Sequence, residues 1–373
     1  MKKPIILTLV VLSVFFMFIL LSCKKANLNA ETENITGNTD HINTTTITGI
    51  KNITKEEKRM YKFTNPIAPH GNDPWLIFHE RYYYYCLSSK GGVCVAKIKN
   101  IYDIDTAEPI RVWLPPAGTK YSKELWAPEL HYLNGEWYIY VAADDGKNEN
   151  HRMYVLKGTT QNPLDEFTFM GQITDSTDKW AIDGTVMPYK NKMYFIWSGW
   201  MGNTNVSQNL YIAEMSGPCT ISSERVKISS PKKSWELIGN PTINEGPVAI
   251  EHNGTMHIVY SASGSWTDDY CLGLLTLTGD DPLNINAWTK SEKPILSKSD
   301  KVFGPGHCSF TTSPDGNQTW VIYHANPESG TGWSGRNAWT QPVTWDENNY
   351  PIIGVPSGKP ADPGEELEIQ INE

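Results

Sequence analysis

The sequence is poor in cysteine and in positive charge, and no helical periodicity runs through it. Its 373 residues include 6 cysteines, without a Cys-X-X-Cys pair or zinc-ligand spacing, so disulfides and structural zinc are not expected to hold the fold. Lysine and arginine number 32 against 41 aspartates and glutamates, a net charge of -9. A nucleic-acid partner is therefore not expected, because polyanions are bound by basic surfaces.

Aromatic residues are absent between positions 24 and 60. This stretch cannot bury enough apolar surface to fold alone, so we predict a flexible tether over residues 23–60. Lys2-Lys3 and the apolar run that follows are typical of a signal peptide over residues 1–22. The run ends in Leu20-Leu21-Ser22-Cys23, which resembles a bacterial lipobox. We therefore predict lipidation of Cys23 and a lipid-anchored position in the bacterial cell envelope, at the outer membrane, in the periplasm or at the cell surface.

What the sequence does contain is aromatic and turn-forming residues: 14 Trp, 18 Tyr, 29 Gly and 24 Pro. This combination is typical of many short strands joined by tight turns. It also leaves aromatic surface available to stack on flat ligands such as sugar rings. Cys86 and Cys94 flank a Gly-Gly turn and could pair across a hairpin, a question that the sequence leaves open.

One phrase occurs five times: a polar residue beside Pro or Gly, a short apolar strand, a turn and an aromatic-rich strand. The copies begin at Asp73-Pro74-Trp75, Pro128-Glu129-Leu130, Asp183-Gly184-Thr185, Glu245-Gly246-Pro247 and Gly306-His307-Cys308. A spacing of roughly 60 residues indicates a repeat architecture with room for four strands per copy. We predict an all-β fold, a five-bladed β-propeller forming a single domain over residues 61–373. A two-sheet sandwich is the alternative, but it would not place a polar residue at one phase of every repeat.

If the marked strand is the innermost of each blade, the polar residues of all five copies point toward the central funnel. Glu245 alone would be interpreted as a surface acid beside a turn, but Asp73 and Asp183 occupy the same place in their repeats. Carboxylates brought together repel, so one is driven toward the protonated form while another stays ionised. Glycoside hydrolysis requires that division of roles.

Four of these motifs resemble glycoside hydrolase family 43, five-bladed propeller enzymes that act on arabinans and xylans. They are Asn72-Asp73-Pro74-Trp75, the run from Leu125 to His131, Ala181-Ile182-Asp183-Gly184-Thr185 and Asn244-Glu245-Gly246-Pro247. The resemblance implies that Asp73 is the general base, Glu245 the general acid and Asp183 the residue that raises the pKa of Glu245. It also implies inversion, with the base and the acid roughly 6.5–9.5 Å apart. Glu129 has no role in the family pattern and is expected to be a structural or rim residue.

The resemblance suggests further ligand-binding residues. His307 matches a position that often contributes to a calcium site on the propeller axis, where waters would have to complete the shell. Arg336 matches an arginine that contacts substrate hydroxyls. Candidates for sugar stacking are Trp75, Trp126, Trp200 and Trp266.

The expected function is release of terminal α-L-arabinofuranose from arabinan or arabino-oligosaccharides of the plant cell wall. Three phrases carry a likeness to the exo-acting branch: Ala142-Ala143-Asp144-Asp145-Gly146, Trp197-Ser198-Gly199-Trp200 and the run from Tyr260 to Trp266. A β-xylosidase and an endo-arabinanase stay open, because rim loops decide between a pocket and a groove. A retaining, invertase-like enzyme is disfavoured, since the chain has no Arg-Asp-Pro motif. A non-catalytic sugar-binding lipoprotein is the alternative from another class.

Overall fold

The computed structural model describes residues 59–356 and 367–371. Over these residues the chain is built almost entirely of strands, arranged as five antiparallel sheets around an axis and one separate two-stranded pair. The fold is the five-bladed β-propeller that the repeat predicts. The predicted signal peptide, Cys23 and most of the tether lie outside the described residues.

Consecutive strands pair within each blade, except that the last two strands of blade 3 both pair with its third strand. The separate pair is β1 (Arg59–Phe63) with β23 (Leu367–Ile371). Blades 1 and 2 contain β2 (Trp75–His79), β3 (Tyr82–Ser89), β4 (Gly92–Ile98), β5 (Ile110–Trp113), β6 (Lys123–Leu133), β7 (Glu136–Asp144), β8 (Arg152–Gly158) and β9 (Phe167–Gln172). Blade 3 contains β10 (Ala181–Tyr189), β11 (Lys192–Gly199), β12 (Asn209–Gly217), β13 (Thr220–Ile221) and β14 (Val226–Ser229). Blades 4 and 5 contain β15 (Asn244–His252), β16 (Thr255–Ala262), β17 (Cys271–Leu277), β18 (Trp288–Lys290), β19 (Phe303–Thr312), β20 (Thr319–Asn326), β21 (Asn337–Trp345) and β22 (Pro351–Ile352). Short 3-10 helices in the described connections are Ile101–Thr106, Asn148–Asn150, Ser234–Glu236, Ile285–Ala287 and Gly332–Gly335.

The first strands of the blades surround the axis. Each of β2, β6, β10, β15 and β19 contacts the first strand of the next blade, and β19 contacts β2 to complete the ring. The predicted marker residues lie in these strands or, for Asp73, just before one. The aromatic-rich second strands predicted from the repeat are β3, β7, β11, β16 and β20.

Tight turns join the first and second strands of several blades. Asn134-Gly135 and Asn253-Gly254 both have positive φ angles, 53° with 82° and 47° with 80°. Two consecutive residues of this kind form the hairpin turn whose twist matches that of the strands, and Asn-Gly adopts it readily. These turns lie at the end of the propeller opposite the point where each first strand begins.

Hydrophobic cores fill the gaps between neighbouring blades, one cluster to a gap. Tyr140 with Phe195 packs blade 2 on blade 3, and Tyr83 with Trp320 packs blade 1 on blade 5. Neighbouring sheets are therefore held by aromatic and aliphatic burial, which is the dominant favourable contribution to folding.

A segment ahead of blade 1 closes the ring by pairing with β21 of blade 5. The backbone N–H of Ile67 donates to the carbonyl of Ala338 at 2.8 Å, and that of Ala338 donates to Ala68 at 3.0 Å. Asn65 Nδ2 donates to the carbonyl of Thr340 at 2.6 Å and Asn65 Oδ1 accepts from the Thr340 N–H at 2.9 Å. The closure is therefore made by the segment from Asn65 to Ala68, which the sequence does not reveal.

The described cysteines are all free. Cys86 lies opposite Val95 and Cys94 lies opposite Leu87 in the β3–β4 register. Cross-strand neighbours share a face and consecutive residues alternate, so the two thiols project from opposite faces of the blade. Among the described residues, no helix is long and apolar enough to cross a membrane.

Candidate active site

A cavity of about 610 Å³ opens where the first strands begin, at the axis of the propeller. Four side chains of its floor come from four different blades: Asp73, Asp183, Glu245 and His307, with Arg336 beside them. The structure thus brings together the three predicted acids, the predicted histidine and the predicted arginine. Glu129, the remaining marker residue, does not line the cavity.

β-bulges in β10 and β15 set the directions of the Asp183 and Glu245 side chains. The register of β10 on β11 shifts between Ile182 and Thr185, and that of β15 on β16 shifts between Glu245 and Val248. Such bulges redirect a side chain and are frequent beside functional sites. Within them, Gly246 has a φ of 54°, a conformation that glycine adopts without steric cost. Its N–H is thereby free of the strand ladder and donates to Asp183 Oδ2 at 3.0 Å.

Asp73 is surrounded by cationic and imidazole groups. Its Oδ1 atom lies 3.2 Å from Arg336 Nη1 and 3.3 Å from the Nδ1 atoms of both His307 and His324. Burial alone would raise the pKa of Asp73, but His307, the hydrogen bond from His324 and Arg336 together hold that pKa well below its usual range. The side chain keeps 24% of its surface exposed toward the cavity. Asp73 is therefore an ionised carboxylate that water can reach.

Asp183 and Glu245 have the opposite character. Burial raises the pKa of Asp183 well above its usual value, and the neighbouring carboxylates of Glu245 and Asp73 add to the effect. Burial also raises the pKa of Glu245, to about 7, although the hydrogen bond from Tyr270 and the charge of Arg336 oppose the rise. The Tyr270 hydroxyl donates to Glu245 Oε1 at 2.8 Å. Carboxyl groups in this state can hold a proton near neutral pH.

The cavity therefore holds one carboxyl group that is ionised and one that titrates near neutral pH. That pairing is the chemical requirement for a general base and a general acid acting on the same bond. Arg336 acts on both groups: its Nη1 contacts Asp73, its charge opposes the rise in the pKa of Glu245, and its Nη2 donates to the backbone carbonyl of Ser265 at 3.1 Å. The guanidinium group thus supports Asp73 as well as facing the cavity.

Glu129 is buried below the cavity and is not a rim residue. Its Oε2 atom lies 2.8 Å from His131 Nε2, and burial raises the pKa of the carboxyl group well above its usual value. Trp75 packs against the His131 ring at a centroid distance of 4.7 Å and donates to the Leu130 carbonyl. The proximity of Trp75 to Asp73 in sequence therefore does not bring its ring to the cavity, and we assign it a packing role between blades 1 and 2.

Of the other predicted tryptophans, two line the cavity and one packs behind its lining. Trp126 and Trp266 line the cavity. Trp200 is buried outside the lining and stacks on Trp180 at 4.6 Å with an interplanar angle of 11°. Trp180 itself lines the cavity, as does Trp333. Trp180 stands only three positions before Asp183, but no motif in the sequence marks it as a wall residue.

His151, which no motif indicated, supports one side of the cavity wall. Its ring is fully buried and stacks on Trp126 at a centroid distance of 3.9 Å. Nδ1 lies 3.1 Å from Asp144 Oδ2, and Nε2 lies 3.1 Å from the carbonyl of Glu124. Asp144 belongs to the phrase Ala142-Ala143-Asp144-Asp145-Gly146, so that phrase marks the support behind the wall rather than the wall itself.

The calcium ion expected at His307 stays a prediction. His307 Nδ1 faces Asp73, and among the described residues no group of three or more His, Cys, Asp or Glu side chains could hold a metal ion. Calcium requires six to eight oxygen ligands. The described side chains around His307 do not form such a shell by themselves.

The fold and these acids define a class, the five-bladed propellers with several carboxyl groups in one axial cavity. The chain belongs to the glycosyl hydrolases family 43, whose family model matches residues 63–351. It is 34% identical to an "Extracellular exo-alpha-(1->5)-L-arabinofuranosidase" of Streptomyces avermitilis and 32% identical to "Alpha-L-arabinofuranosidase 43" of Humicola insolens. Each match covers 79% of this chain and 63% of the relative, so the chain spans less than two thirds of their length.

A solved structure supports the same grouping. The crystal structure of an α-L-arabinofuranosidase from Lactobacillus brevis superposes with a TM-score of 0.74 at 32% identity, covering 79% of this chain and 97% of that one. A second extracellular exo-arabinofuranosidase, from Streptomyces chartreusis, is 27% identical over 75% of this chain and 87% of its own. The match therefore extends over nearly the whole length of some relatives.

Proposed function

We propose that this protein is an inverting glycoside hydrolase that releases terminal α-L-arabinofuranose from arabinan or arabino-oligosaccharides. The observation that carries the proposal is the division of pKa values within one cavity, lowered at Asp73 and raised at Glu245. The names of the family relatives support arabinofuranose as the sugar.

In the proposed reaction, Asp73 accepts a proton from a water molecule as that water attacks the anomeric carbon. Glu245 gives its proton to the glycosidic oxygen as the bond to the leaving group breaks. Asp183 is proposed to modulate the acid: it accepts the N–H of Gly246, the residue next to Glu245, and its own pKa is raised by burial and by Glu245. Because attack and departure occur on opposite faces of the sugar, the first product has the inverted anomeric configuration.

A panel of arabinofuranosides, xylosides and galactofuranosides tests the sugar. We expect release of arabinose from arabino-oligosaccharides, with xylosides hydrolysed far more slowly. Proton NMR of the first-formed anomer tests the stereochemistry, and a retained configuration would contradict the assignment of Asp73 as a base. Purified protein that binds arabino-oligosaccharides but releases no sugar would instead support a non-catalytic sugar-binding protein.

We also propose that the protein is exported and anchored to the cell envelope through lipid on Cys23. The lipobox-like sequence that ends at Cys23 supports the anchor, and two Streptomyces relatives are named extracellular, which supports export. A Cys23→Ser variant should move from the membrane fraction to the soluble fraction of the producing cells. Unchanged fractionation would argue against the anchor.

A further inference from the structure

Trp333 is the most exposed tryptophan at the cavity mouth. It lies in the turn Gly332–Gly335 between β20 and β21, lines the cavity, and leaves 60% of its surface exposed. An exposed apolar side chain alone needs no explanation. This one differs because its polar atom is fixed: Nε1 donates to Ser265 Oγ at 3.1 Å.

Ser265 also lines the cavity together with Glu245, and its hydroxyl lowers the pKa of the Glu245 carboxyl group. Ser265 thus lies in the same cavity wall as the proposed acid and is joined to Trp333 at the rim. Trp266, the neighbour of Ser265, meets the Trp333 ring edge-on at a centroid distance of 6.0 Å and an angle of 81°. The two indoles make a corner of apolar surface beside the acid.

The two loops that carry this corner are joined by further bonds. Asp268, in the loop after Trp266, accepts the N–H of Gly330 at 2.9 Å and the hydroxyl of Ser329. Arg336 donates to the carbonyl of Ser265 from the end of the same turn. An aromatic ring held in place before a ligand arrives loses little conformational entropy when the ligand binds.

We infer that Ser265, Trp266 and Trp333 form a leaving-group subsite, which binds the sugar residue that follows the terminal arabinose. This inference rests on the proposed function. In an inverting reaction the acid protonates the glycosidic oxygen, so the leaving group departs on the side of Glu245, where the subsite lies. The indole faces suit the apolar face of a furanose ring, and Ser265, which accepts from Trp333 and lines the cavity with Glu245, contributes a polar group beside them.

Two substrates distinguish an effect on leaving-group binding from an effect on bond cleavage: methyl α-L-arabinofuranoside and arabinobiose. Both have alkoxide leaving groups that need protonation, but only arabinobiose carries a second sugar ring. For Trp333→Ala, we expect the ratio of kcat/KM for arabinobiose to that for the methyl glycoside to fall about ten-fold, the effect of losing one aromatic stacking contact. Ser334→Ala is the matched control, because Ser334 lies in the same turn and bonds only to the carbonyl of Thr331.

The role of the Ser265 hydroxyl is tested separately, through the pH profile. Ser265→Ala removes the hydroxyl that accepts from Trp333 and that lowers the pKa of Glu245 in the same cavity, so the pKa of Glu245 should rise and the basic limb of the pH profile should move to higher pH for both substrates. Trp333→Phe keeps an aromatic ring but loses the N–H, so the substrate ratio should be largely retained. The subsite would be overturned if the ratio of kcat/KM values were unchanged in Trp333→Ala, or if it fell equally in Ser334→Ala. In either case, hydrolysis of both substrates by the wild-type protein would still uphold the proposed function. If the wild-type protein hydrolysed neither substrate, both the subsite and the proposed function would be contradicted.

Discussion

At the scale of single residues, Asp73 and Glu245 show how neighbours set chemistry. Both are acidic residues near the start of a first strand, yet Asp73 is in contact with Arg336 and two imidazoles, while at Glu245 burial outweighs the opposing influence of Tyr270 and Arg336. Cations favour the ionised carboxylate, whereas burial among neutral groups and acids favours the protonated form. The repeat places the two residues alike, and their surroundings differentiate them.

Removal of either group should abolish most of the activity. We expect Asp73→Asn and Glu245→Gln each to lower kcat by about a hundred-fold or more on arabino-oligosaccharides, because each variant removes one proton-transfer group. On an aryl arabinofuranoside, whose leaving group needs no protonation, Glu245→Gln should lose much less. A Glu245→Gln variant that hydrolyses arabino-oligosaccharides at the wild-type rate would show that another residue is the acid.

The pH dependence of kcat/KM should reflect the same pair. Glu245 has to carry a proton and its pKa is raised to about 7, so activity should fall as pH rises through that value. Asp73 has to be ionised and its pKa is lowered, so the acidic limb should lie well below the usual aspartate range. The wild-type profile on arabino-oligosaccharides should show this basic limb, whereas the profile of Glu245→Gln on an aryl glycoside, which needs no acid, should lack it.

Sequence reasoning identified the acids because each stands beside Gly or Pro at a repeated phase. It did not identify the support residue His151 or the subsite residues Ser265 and Trp333 as a group. His151 contacts Trp126 across 25 positions and Trp333 contacts Ser265 across 68 positions of the chain. Contacts between residues so far apart in the sequence carry no local pattern. The motif that contains Trp75 likewise does not show which way its ring turns.

At the scale of elements, the segment that leads into β15 is held by a buried ion pair. Glu236 in the 3-10 helix Ser234–Glu236 is fully buried and accepts from Lys290 Nζ at 2.6 Å. It also accepts from Asn244 Nδ2 at 3.0 Å and from the hydroxyl of Tyr260 at 2.9 Å. Because Asn244 precedes Glu245, this network fixes the start of the strand that carries the proposed acid.

Replacement of Glu236 by Gln should destabilise the protein. The change leaves Lys290 without its counter-ion, and loss of one partner of a buried pair costs about 3–5 kcal/mol. Urea unfolding followed by tryptophan fluorescence would measure the loss of free energy of unfolding. Glu292→Gln is the matched control, because Glu292 pairs with Lys233 at the same 2.6 Å distance but is 82% exposed. Equal effects of the two substitutions would contradict a special role for the buried pair.

At the scale of the whole molecule, the number of blades followed from the sequence but the closure did not. Each blade repeats a local order of strands and turns, and such order is visible in a repeated phrase. The closure joins Asn65 to Thr340, which are 275 positions apart. Asn65 belongs to no repeat, so nothing in the pattern of the blades marks it as a structural residue.

Asn65 is therefore the position where a single change should loosen the ring. Asn65→Ala would leave the buried N–H and carbonyl groups of Thr340 without their partners, and each such loss costs about 1–3 kcal/mol. We expect a lower urea midpoint with one cooperative transition, because the blade 5 and blade 1 cores depend on the same contact. Asn203→Ala, at an exposed bond to Lys179, should leave the midpoint unchanged. An Asn65→Ala protein as stable as that control would mean that packing between Tyr83 and Trp320 closes the propeller without the hydrogen bonds of Asn65.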